Sequence, residues 1–168
     1  MTITNPEGGL TTWLHRASFG LSLIGLATSL YLAWEYARGG AIACPVAGTG
    51  CEDVRSSQFS SILGVPVPWL GIAFYVSFAV LEIVRPEFVR HQRMLMYVGL
   101  TFAAIGILAS GWFTYLEAFV IGAWCFWCLV SAACTVSLFV LAVLLAVIQP
   151  QAGDRKSTRL NSSHTVIS

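Results

Sequence analysis

The chain has 168 residues, of which 57% are hydrophobic and 10% charged, whereas about a quarter of the residues in a soluble domain are charged. This balance excludes a disordered chain and an ordinary soluble globule, because so few charges cannot cover a compact body in water. The formal net charge of +1 gives no broad basic surface for nucleic acid. Lipid is therefore expected to cover much of the protein, and its function is expected to lie in local sites.

Four charge-free runs are long and apolar enough to be membrane-spanning helices, because a helix crosses the hydrocarbon layer with about 20 apolar residues. The last run, over 118–153, is too long for one crossing, and Gly122 predicts a turn at 118–123 before the fourth helix. The sequence therefore predicts an all-α membrane protein, a four-transmembrane-helix bundle with a long extracytoplasmic loop between helices 1 and 2. The predicted spans are 17–34, 66–81, 94–116 and 124–148.

The positions of the arginines predict the orientation of the bundle, because short cytoplasmic loops carry an excess of positive residues. Arg16 precedes the first span, and Arg85, Arg90 and Arg93 lie between the second and the third. We therefore expect both termini in the cytoplasm. The long loop over 36–65 and the turn before the fourth span should face outward, which in a bacterial cell is the oxidising periplasm.

The segment 154–168 differs abruptly in composition from everything before it. Its back-translation reproduces a common sequencing adapter, so we interpret it as a non-native tail and leave it out of the reasoning on fold and function. A basic cytoplasmic tail is the alternative. On the first interpretation the natural chain can continue past Gly153, and the membrane domain is expected over 10–150.

Five cysteines are the chemical outlier in so apolar a chain. Cys125 and Cys128 form a CxxC motif at the outer end of the fourth span, where the free N–H groups of a helix start stabilise a thiolate over a thiol. A dithiol at this place is suited to disulfide exchange or to metal binding, although zinc ordinarily needs four ligands in a closed site. The sequence has no histidine-rich cluster, and no metal site is predicted.

Cys44 and Cys51 lie in the same outward loop, where Gly48 and Gly50 allow the pair to close. A structural disulfide is one interpretation of such a pair outside the cytoplasm. The CxxC motif on the same membrane face favours another, in which two dithiols pass a disulfide between them. Cys134, two turns deeper in the fourth span, is interpreted as a small core residue.

Aromatic residues cluster near the outer ends of the third and fourth spans. An interfacial aromatic belt is the common explanation of such a cluster, and a flat apolar pocket for a quinone ring is the functional one. A membrane dithiol that gives up two electrons needs a two-electron acceptor in the same phase, and a lipid-soluble quinone meets that need. The cluster comprises Trp112, Phe113, Tyr115, Trp124, Phe126 and Trp127.

Further motifs accompany the cysteines along the chain. They are Gly50-Cys51-Glu52-Asp53-Val54, Ser56-Ser57, Leu63-Gly64-Val65-Pro66, Leu70-Gly71, Tyr115-Leu116 and Cys125-Phe126-Trp127-Cys128. Together with Cys44, this series resembles the vitamin K epoxide reductase family, in its bacterial quinone-linked branch. The resemblance covers 10–148, which is nearly all of the chain before the tail.

The resemblance implies a role for each of four cysteines. Cys44 is the outer shuttle cysteine that a reduced thioredoxin-like protein attacks, and Cys51 is the inner one that exchanges with Cys125. Cys128 lies beside the quinone ring: its thiolate donates to the quinone, a disulfide with Cys125 results, and quinol leaves into the lipid. The implied electron acceptor is menaquinone or ubiquinone, and the implied thiol donor is a separate periplasmic DsbA-like protein.

The resemblance also suggests residues near the quinone. Ser57 is similar to a serine placed near the quinone and the CxxC motif, although a polar residue that ends a loop helix is the alternative. Phe126, Trp112 and Tyr115 are the aromatic candidates for contact with the ring. These four residues are the predicted quinone-binding set.

Two departures from the family pattern affect the expected activity. Val67 and Ala132 stand near positions where the vertebrate reductases carry a polar amide and a tyrosine, so epoxide reduction is not expected. Many bacterial relatives also carry a fifth span and a fused thioredoxin-like domain, which this sequence does not contain. Either the redox partner is a separate protein or the sequence is truncated.

The expected function is that of an integral thiol–disulfide oxidoreductase of the bacterial inner (cytoplasmic) membrane, which supports disulfide formation in secreted proteins. The rival DsbB type of oxidase is disfavoured, because its CxxC pair lies in the first outer loop and here it follows the third span. A non-catalytic membrane bundle or transporter with a structural loop disulfide is the alternative from another class. That alternative predicts charges inside the spans, and the middle of each predicted span has none.

Overall fold

The computed structural model describes residues 6–45, 50–85 and 92–163, and the side chains of 9–45, 50–85 and 93–148. Four helices are long and apolar enough to cross a membrane, so the predicted all-α bundle with a long loop after its first helix is confirmed. The elements in chain order are α1 (Pro6–Arg38), α2 (Gly50–Ser56), a 3-10 turn (Gln58–Ser60), β1 (Ser61–Ile62), β2 (Val65–Pro66), α3 (Val67–Val84), α4 (Gln92–Tyr115), a π-helical segment (Leu116–Ile121) and α5 (Phe126–Ser163).

The helices extend beyond the charge-free runs that predicted them. The apolar part of α1 is Gly9–Arg38, whereas 17–34 was expected. A charge-free run marks the stretch that lies in hydrocarbon, and the flanking helical turns can carry charges at the level of the lipid headgroups. The apolar part of α5 begins at Phe126, two residues after the start of the predicted span 124–148. The helix itself continues to Ser163, and the interpretation of 154–168 as a non-native tail stays a prediction.

The predicted turn over 118–123 is wrong, although the glycine that suggested it does end the helix. After α4 the chain continues as a π-helix to Ile121 and stops at Gly122, which has a left-handed backbone with φ of +71°. The N–H groups of Gly122 and Ala123 both donate to the carbonyl oxygen of Glu117. Glycine adopts this conformation without a Cβ penalty. The helix therefore ends at Gly122, near the end of the expected turn, and the residues before it are helical.

Helix α1 packs closely against both α3 and α5, and α4 packs against α5. The Tyr75 hydroxyl on α3 donates to the carbonyl oxygen of Ser131 at 2.8 Å and lies 3.1 Å from the hydroxyl of Thr135. Gly25 on α1 permits this packing, because a Cβ there would overlap the Tyr75 ring. The core cluster comprises Tyr75, Phe78, Ala103, Cys134, Leu138 and Ala142. Cys134 is therefore a core residue, as expected.

A two-stranded hairpin carries the chain from α2 to α3. Strands β1 and β2 pair antiparallel, and the two residues between them, Leu63 and Gly64, have φ of +52° and +81°. Positive φ at both central positions is the requirement of a type I′ turn, the common two-residue hairpin connection. The second strand ends at Pro66, which is the N-cap of α3, so the helix begins one residue after the start of the predicted span 66–81.

Buried charges join the helices at the end of the bundle formed by the N-terminus of α1 and the C-terminus of α3. The Glu82 carboxylate on α3 lies 2.7 Å from His15 Nδ1 on α1 and 2.9 Å from a guanidinium nitrogen of Arg85. The side chains of Glu82 and Arg85 are 3% and 8% exposed. A buried carboxylate of this kind depends on its partners, because an unpaired charge would be costly.

Candidate active site

Four cysteines meet at the other end of the bundle, which we call the cysteine end: the C-terminus of α1, the loop with α2, and the start of α5. Cys51 and Cys125 are each 2% exposed and belong to one buried cluster with Leu32 and Ile42. Cys44 and Cys128 are half-buried and pack against that cluster. The structure thus brings together the four cysteines that the sequence singled out.

The two pairs of cysteines are in different redox states. Cys44 and Cys51 form a disulfide with their Cα atoms 6.3 Å apart, whereas Cys125 and Cys128 are free thiols. The loop pair is oxidised while the CxxC pair is reduced. One disulfide and one dithiol are the two reactants that thiol–disulfide exchange requires.

A residue within the CxxC motif binds the chain segment that leads to Cys44. The Trp127 indole N–H donates to the carbonyl oxygen of Ala43 at 2.9 Å, and the backbone N–H of Ala43 donates to the Tyr31 hydroxyl at 3.2 Å. The rings of Tyr31 and Trp127 lie 4.9 Å apart between centroids. The segment before Cys44 is therefore held between α1 and α5.

The start of α2 approaches the backbone just before the CxxC motif. A Cβ added to Gly50 would overlap the carbonyl oxygen of Trp124, so that only glycine allows this approach without a shift of the chain. Gly50 precedes Cys51, and Trp124 precedes Cys125. This contact brings the two buried cysteines into one cluster.

Cys125 is the N-cap residue of α5. Its carbonyl oxygen accepts the first helical hydrogen bond, from the N–H of Leu129 at 3.1 Å. Its sulfur accepts hydrogen bonds from the Cys128 side chain and from the backbone N–H groups of Cys128 and Trp127. The hydrogen bond from the Cys128 thiol is the main reason that the pKa of Cys125 is lowered, and it outweighs burial, which acts in the opposite direction. A thiolate at the start of a helix is the reactive form of cysteine.

Glu117 is a site residue that the sequence analysis missed. Its carboxylate accepts a hydrogen bond from the backbone N–H of Cys125 at 3.1 Å and interacts with the Cys128 side chain, although the residue is only 3% exposed. The sequence places it directly after the third predicted span, where a charged residue usually indicates a helix end exposed to water. The available signal was an acidic residue close ahead of both a glycine break and a CxxC motif.

Arg55 fixes the orientation of α2 over the cysteine end. Its guanidinium donates to the carbonyl oxygen of Gly40, lies 3.4 Å from the Glu52 carboxylate, and sits over the Tyr36 ring at 5.5 Å from the centroid. Tyr36 in turn packs against the buried cysteine cluster. The helix that carries Cys51 is thus held by contacts to the end of α1 and to the segment after it.

The comparisons with known proteins agree with this geometry. The sequence profile of the Vitamin K epoxide reductase family matches residues 16–143. The chain belongs to the vitamin K epoxide reductase family. It is also 32% identical over 120 residues to thiol-disulfide oxidoreductase LTO1 of Arabidopsis thaliana, a match that covers 67% of this chain and 31% of the relative. The family expected from the cysteine motifs is confirmed, and the chain matches about a third of that relative's length.

The predicted quinone-binding residues of this vitamin K epoxide reductase family member occupy different environments. Phe126 packs against the cysteine cluster, edge-on to Trp127 with centroids 5.3 Å apart. The Ser57 hydroxyl donates to the carbonyl oxygen of Val54 at 2.7 Å, the local bond expected of a residue that ends a loop helix. Of the three aromatic candidates, Phe126 is the one that packs against the cysteine cluster.

The other two candidates lie on the surface of α4. Trp112 and Tyr115 are 59% and 50% exposed, and their rings stack with centroids 6.1 Å apart. Phe119 continues the row, 5.1 Å from Tyr115. This arrangement fits the aromatic belt that the sequence analysis named as the common explanation.

The described side chains at the cysteine end do not form a set of metal ligands. Within the described ranges, no three histidine, cysteine, aspartate or glutamate side chains come together as metal ligands. The thiols of Cys125 and Cys128 instead face each other and Glu117. Their surroundings suit exchange between sulfur atoms.

Proposed function

We propose that this protein is an integral membrane thiol–disulfide oxidoreductase that passes electrons from a reduced thioredoxin-like protein to a membrane quinone. The observation that carries the proposal is the buried cluster in which an oxidised loop pair, Cys44 and Cys51, packs with a reduced CxxC pair, Cys125 and Cys128. Membership of the family and the similarity to a thiol-disulfide oxidoreductase support it.

The loop pair receives electrons first. Cys44 is half-buried, whereas Cys51 is 2% exposed, so a thiolate of the partner protein attacks the sulfur of Cys44. The loop disulfide breaks, a mixed disulfide between Cys44 and the partner forms, and Cys51 leaves as a thiolate. A second thiol of the partner then attacks the mixed disulfide, which releases Cys44 and leaves the partner oxidised.

The CxxC pair receives the electrons next, once it is itself a disulfide. The Cys51 thiolate attacks Cys125, and Cys128 is released. Cys44 then attacks Cys51, which closes the loop disulfide and releases Cys125. The product is the state that the structure has, with Cys44 bonded to Cys51 and both CxxC cysteines free.

The residues at the start of α5 fit a quinone as the final acceptor. Cys128 is half-buried in the first turn of a helix apolar enough to span a membrane, and the Phe126 ring is its neighbour in the cluster. A lipid-soluble quinone, menaquinone or ubiquinone, supplies a two-electron acceptor in the same phase. Phe126 and Cys128 would contact it, and Ser57 is bonded to Val54, a residue that packs against the same cluster. Trp112 and Tyr115 are weaker candidates, because their rings stack on each other at the surface of α4.

The location and partner complete the proposal. The arginines near the end that carries Glu82 favour a cytoplasmic position for that end, and the proposal accordingly has the four cysteines on the extracytoplasmic side of a bacterial inner membrane. A thioredoxin-like, DsbA-like protein of the periplasm is then the donor, and its oxidised form introduces disulfides into secreted proteins. Electrons flow in this direction because quinones accept electrons from dithiols downhill.

Quinol formation tests the proposal directly. The purified protein in detergent receives dithiothreitol and a soluble quinone, beside Cys128→Ser and a matched Cys134→Ser control in the core. We expect turnover by the wild type and by Cys134→Ser, and none by Cys128→Ser. Absence of turnover in folded wild-type protein would overturn the proposal and favour a membrane bundle with a structural loop disulfide.

A further inference from the structure

Glu117 is a buried ionisable group that the exchange steps above do not use. It is 3% exposed and lies in a span of the bundle, where a carboxylate is expensive to keep unless it is paired or has a function. Within the part of the chain that the structure describes, its hydrogen-bonding partners are the two cysteines of the CxxC motif. A carboxylate against two reacting thiols is a candidate proton carrier.

The π-helical segment directs this carboxylate to the cysteines. π-helical turns are rare and often occur at functional sites, because the wider turn re-aims the side chains that follow. Here the segment Leu116–Ile121 contains Glu117 and ends at the left-handed Gly122. The chain then returns at once to the start of α5, so that Oε2 of Glu117 accepts from the N–H of Cys125 at 3.1 Å.

The surroundings of Cys125 and Cys128 differ in how well they stabilise a released thiolate. Cys125 caps α5, and its sulfur accepts hydrogen bonds from two backbone N–H groups and from the Cys128 side chain. It can therefore leave as a thiolate. Cys128 lies in the helix and faces Cys125 and the Glu117 carboxyl. Its sulfur needs a proton when it is released, and Glu117 is the group in contact with it that can supply one.

We propose that Glu117 is the general acid–base of the CxxC pair, giving a proton to Cys128 when the Cys125–Cys128 disulfide opens. This inference deepens the proposed function and rests on the order of exchange given there. It makes Glu117 a catalytic residue, since its carboxyl hydrogen-bonds with the side chain of the reacting Cys128.

The step balances as follows. The Cys51 thiolate attacks Cys125, the Cys51–Cys125 bond forms, the Cys125–Cys128 bond breaks, and the electron pair of the broken bond goes to Cys128. The Glu117 carboxylic acid gives its proton to that sulfur, which leaves a Cys128 thiol and a Glu117 carboxylate. When the CxxC pair is oxidised again, the Cys128 proton passes back to the carboxylate.

Other titratable groups surround the π-helical segment, and they differ from Glu117 in exposure or in partner. Those on α2 and α4 are solvent-exposed except for Arg55, which faces Gly40 and the Tyr36 ring at the end of α1. They are Glu52, Asp53 and Arg55 on α2, Tyr115 on α4 and Tyr36 on α1. Glu52 offers a matched carboxylate on the same end of the protein that is exposed and lies 3.4 Å from Arg55.

Reduction of the CxxC disulfide by a small dithiol isolates the proton step. In full-length protein with Cys44→Ser and Cys51→Ser, the Cys125–Cys128 disulfide is formed with diamide and the excess oxidant is removed. Dithiothreitol is added between about pH 5 and pH 9, a range that spans carboxyl and thiol titration. Free thiols are counted by alkylation, and each rate is divided by the thiolate fraction of dithiothreitol. The variants are Glu117→Gln, Glu117→Asp and Glu52→Gln.

In the protein that keeps Glu117, the rate of disulfide opening per dithiothreitol thiolate should fall as pH rises, because the Glu117 carboxyl loses its proton. Glu117→Gln should be slower at the acidic end by on the order of a hundredfold and independent of pH, although its amide oxygen can still accept from Cys125. Glu117→Asp should keep the pH dependence, and Glu52→Gln should match the wild type. A Glu117→Gln profile equal to the wild type, a flat wild-type profile, or an Asp variant as flat as the Gln variant would overturn the inference.

The assay contains no quinone, so its result is independent of the final electron acceptor. Wild-type protein that shows the pH-dependent opening but forms no quinol would overturn the proposed quinone reduction and leave the role of Glu117 intact. Quinol formation at an unchanged rate in Glu117→Gln would overturn the role of Glu117 and leave the proposed quinone reduction intact.

Discussion

The indole N–H of Trp127 donates a 2.9 Å hydrogen bond to the carbonyl oxygen of Ala43, so a residue inside the CxxC motif holds the backbone next to Cys44. Trp127→Phe removes the donor and keeps an aromatic ring. The loss of one hydrogen bond of about 1 kcal/mol should slow transfer from the loop pair to the CxxC pair several-fold. Quinol formation with a thioredoxin-like donor measures it, and Trp124→Phe, an exposed ring, is the control. Equal rates in wild type and Trp127→Phe would contradict this role.

The absence of a side chain at Gly50 allows α2 to approach the Trp124 carbonyl oxygen. Gly50→Ala should displace α2 and separate Cys51 from Cys125, so that less of the Cys51–Cys125 mixed disulfide accumulates in a Cys44→Ser background. Non-reducing gels with peptide mass spectrometry measure the yield. Gly111→Ala serves as the control, since a Cβ there meets no neighbouring atom within 4 Å. An undiminished yield in Gly50→Ala would show that the close approach is not needed.

Titration of Cys125 tests its environment in the reduced protein. Hydrogen bonding from the Cys128 thiol lowers the pKa of Cys125, so thiolate should form below the ordinary value of about 8.5. The ultraviolet absorbance of thiolate, wild type minus Cys125→Ser, gives the titration curve. The stabilisation by this thiolate is present above the unfolded-state pKa and is lost as pH falls through the lower folded-state pKa. A midpoint at or above the ordinary value would be evidence against the hydrogen bond from the Cys128 thiol.

The unequal exposure of the loop cysteines predicts different requirements for protein and small-molecule donors. Cys44→Ser should abolish quinol formation with a thioredoxin-like donor, because the half-buried entry cysteine is lost. Some turnover with dithiothreitol should remain, since a small thiol can reduce the CxxC disulfide directly. Cys125→Ser and Cys128→Ser should abolish both. Equal losses in all of these variants with dithiothreitol would contradict the division of roles between the pairs.

The Tyr75 hydroxyl links α3 to α5 through Ser131 and Thr135. Tyr75→Phe should reduce the free energy of unfolding by about 1 kcal/mol, the usual worth of such a bond, and should leave the reactions of the cysteines unchanged. Thermal unfolding in detergent, followed by circular dichroism, measures the change. Tyr97→Phe alters an exposed tyrosine and should have no effect. A loss of quinol formation in Tyr75→Phe with unchanged stability would contradict a purely structural role.

The sequence predicted those features that depend on local composition and order. Charge-free runs predicted four spans because hydrocarbon excludes charges, and the order of the cysteines predicted that Cys44, Cys51, Cys125 and Cys128 act together. The structure adds that Cys51 and Cys125 share one buried cluster. Gly122 marked the end of a helix because its left-handed backbone favours glycine.

The features that the sequence did not predict depend on packing between distant segments. Trp127 and Ala43 are 84 residues apart, and no local pattern states that an indole will meet that carbonyl group. The residues of the π-helical segment are equally suited to an ordinary helical turn. The sequence therefore did not predict that the Glu117 side chain points inward. For Trp112 and Tyr115, proximity in sequence to the CxxC motif did not mean contact with it.

The buried Glu82 ion pairs make the two ends of the bundle mechanically different. His15 on α1 and Arg85 after α3 both bind this carboxylate, and the Arg85 guanidinium fills the space beside Gly99 on α4. These contacts join three helices at the end far from the cysteines. Separating the helices would expose a buried charge or leave it unpaired. Thiol–disulfide exchange at Cys44 and Cys51 therefore leaves these ion pairs intact, because the cysteines lie at the opposite end of the bundle.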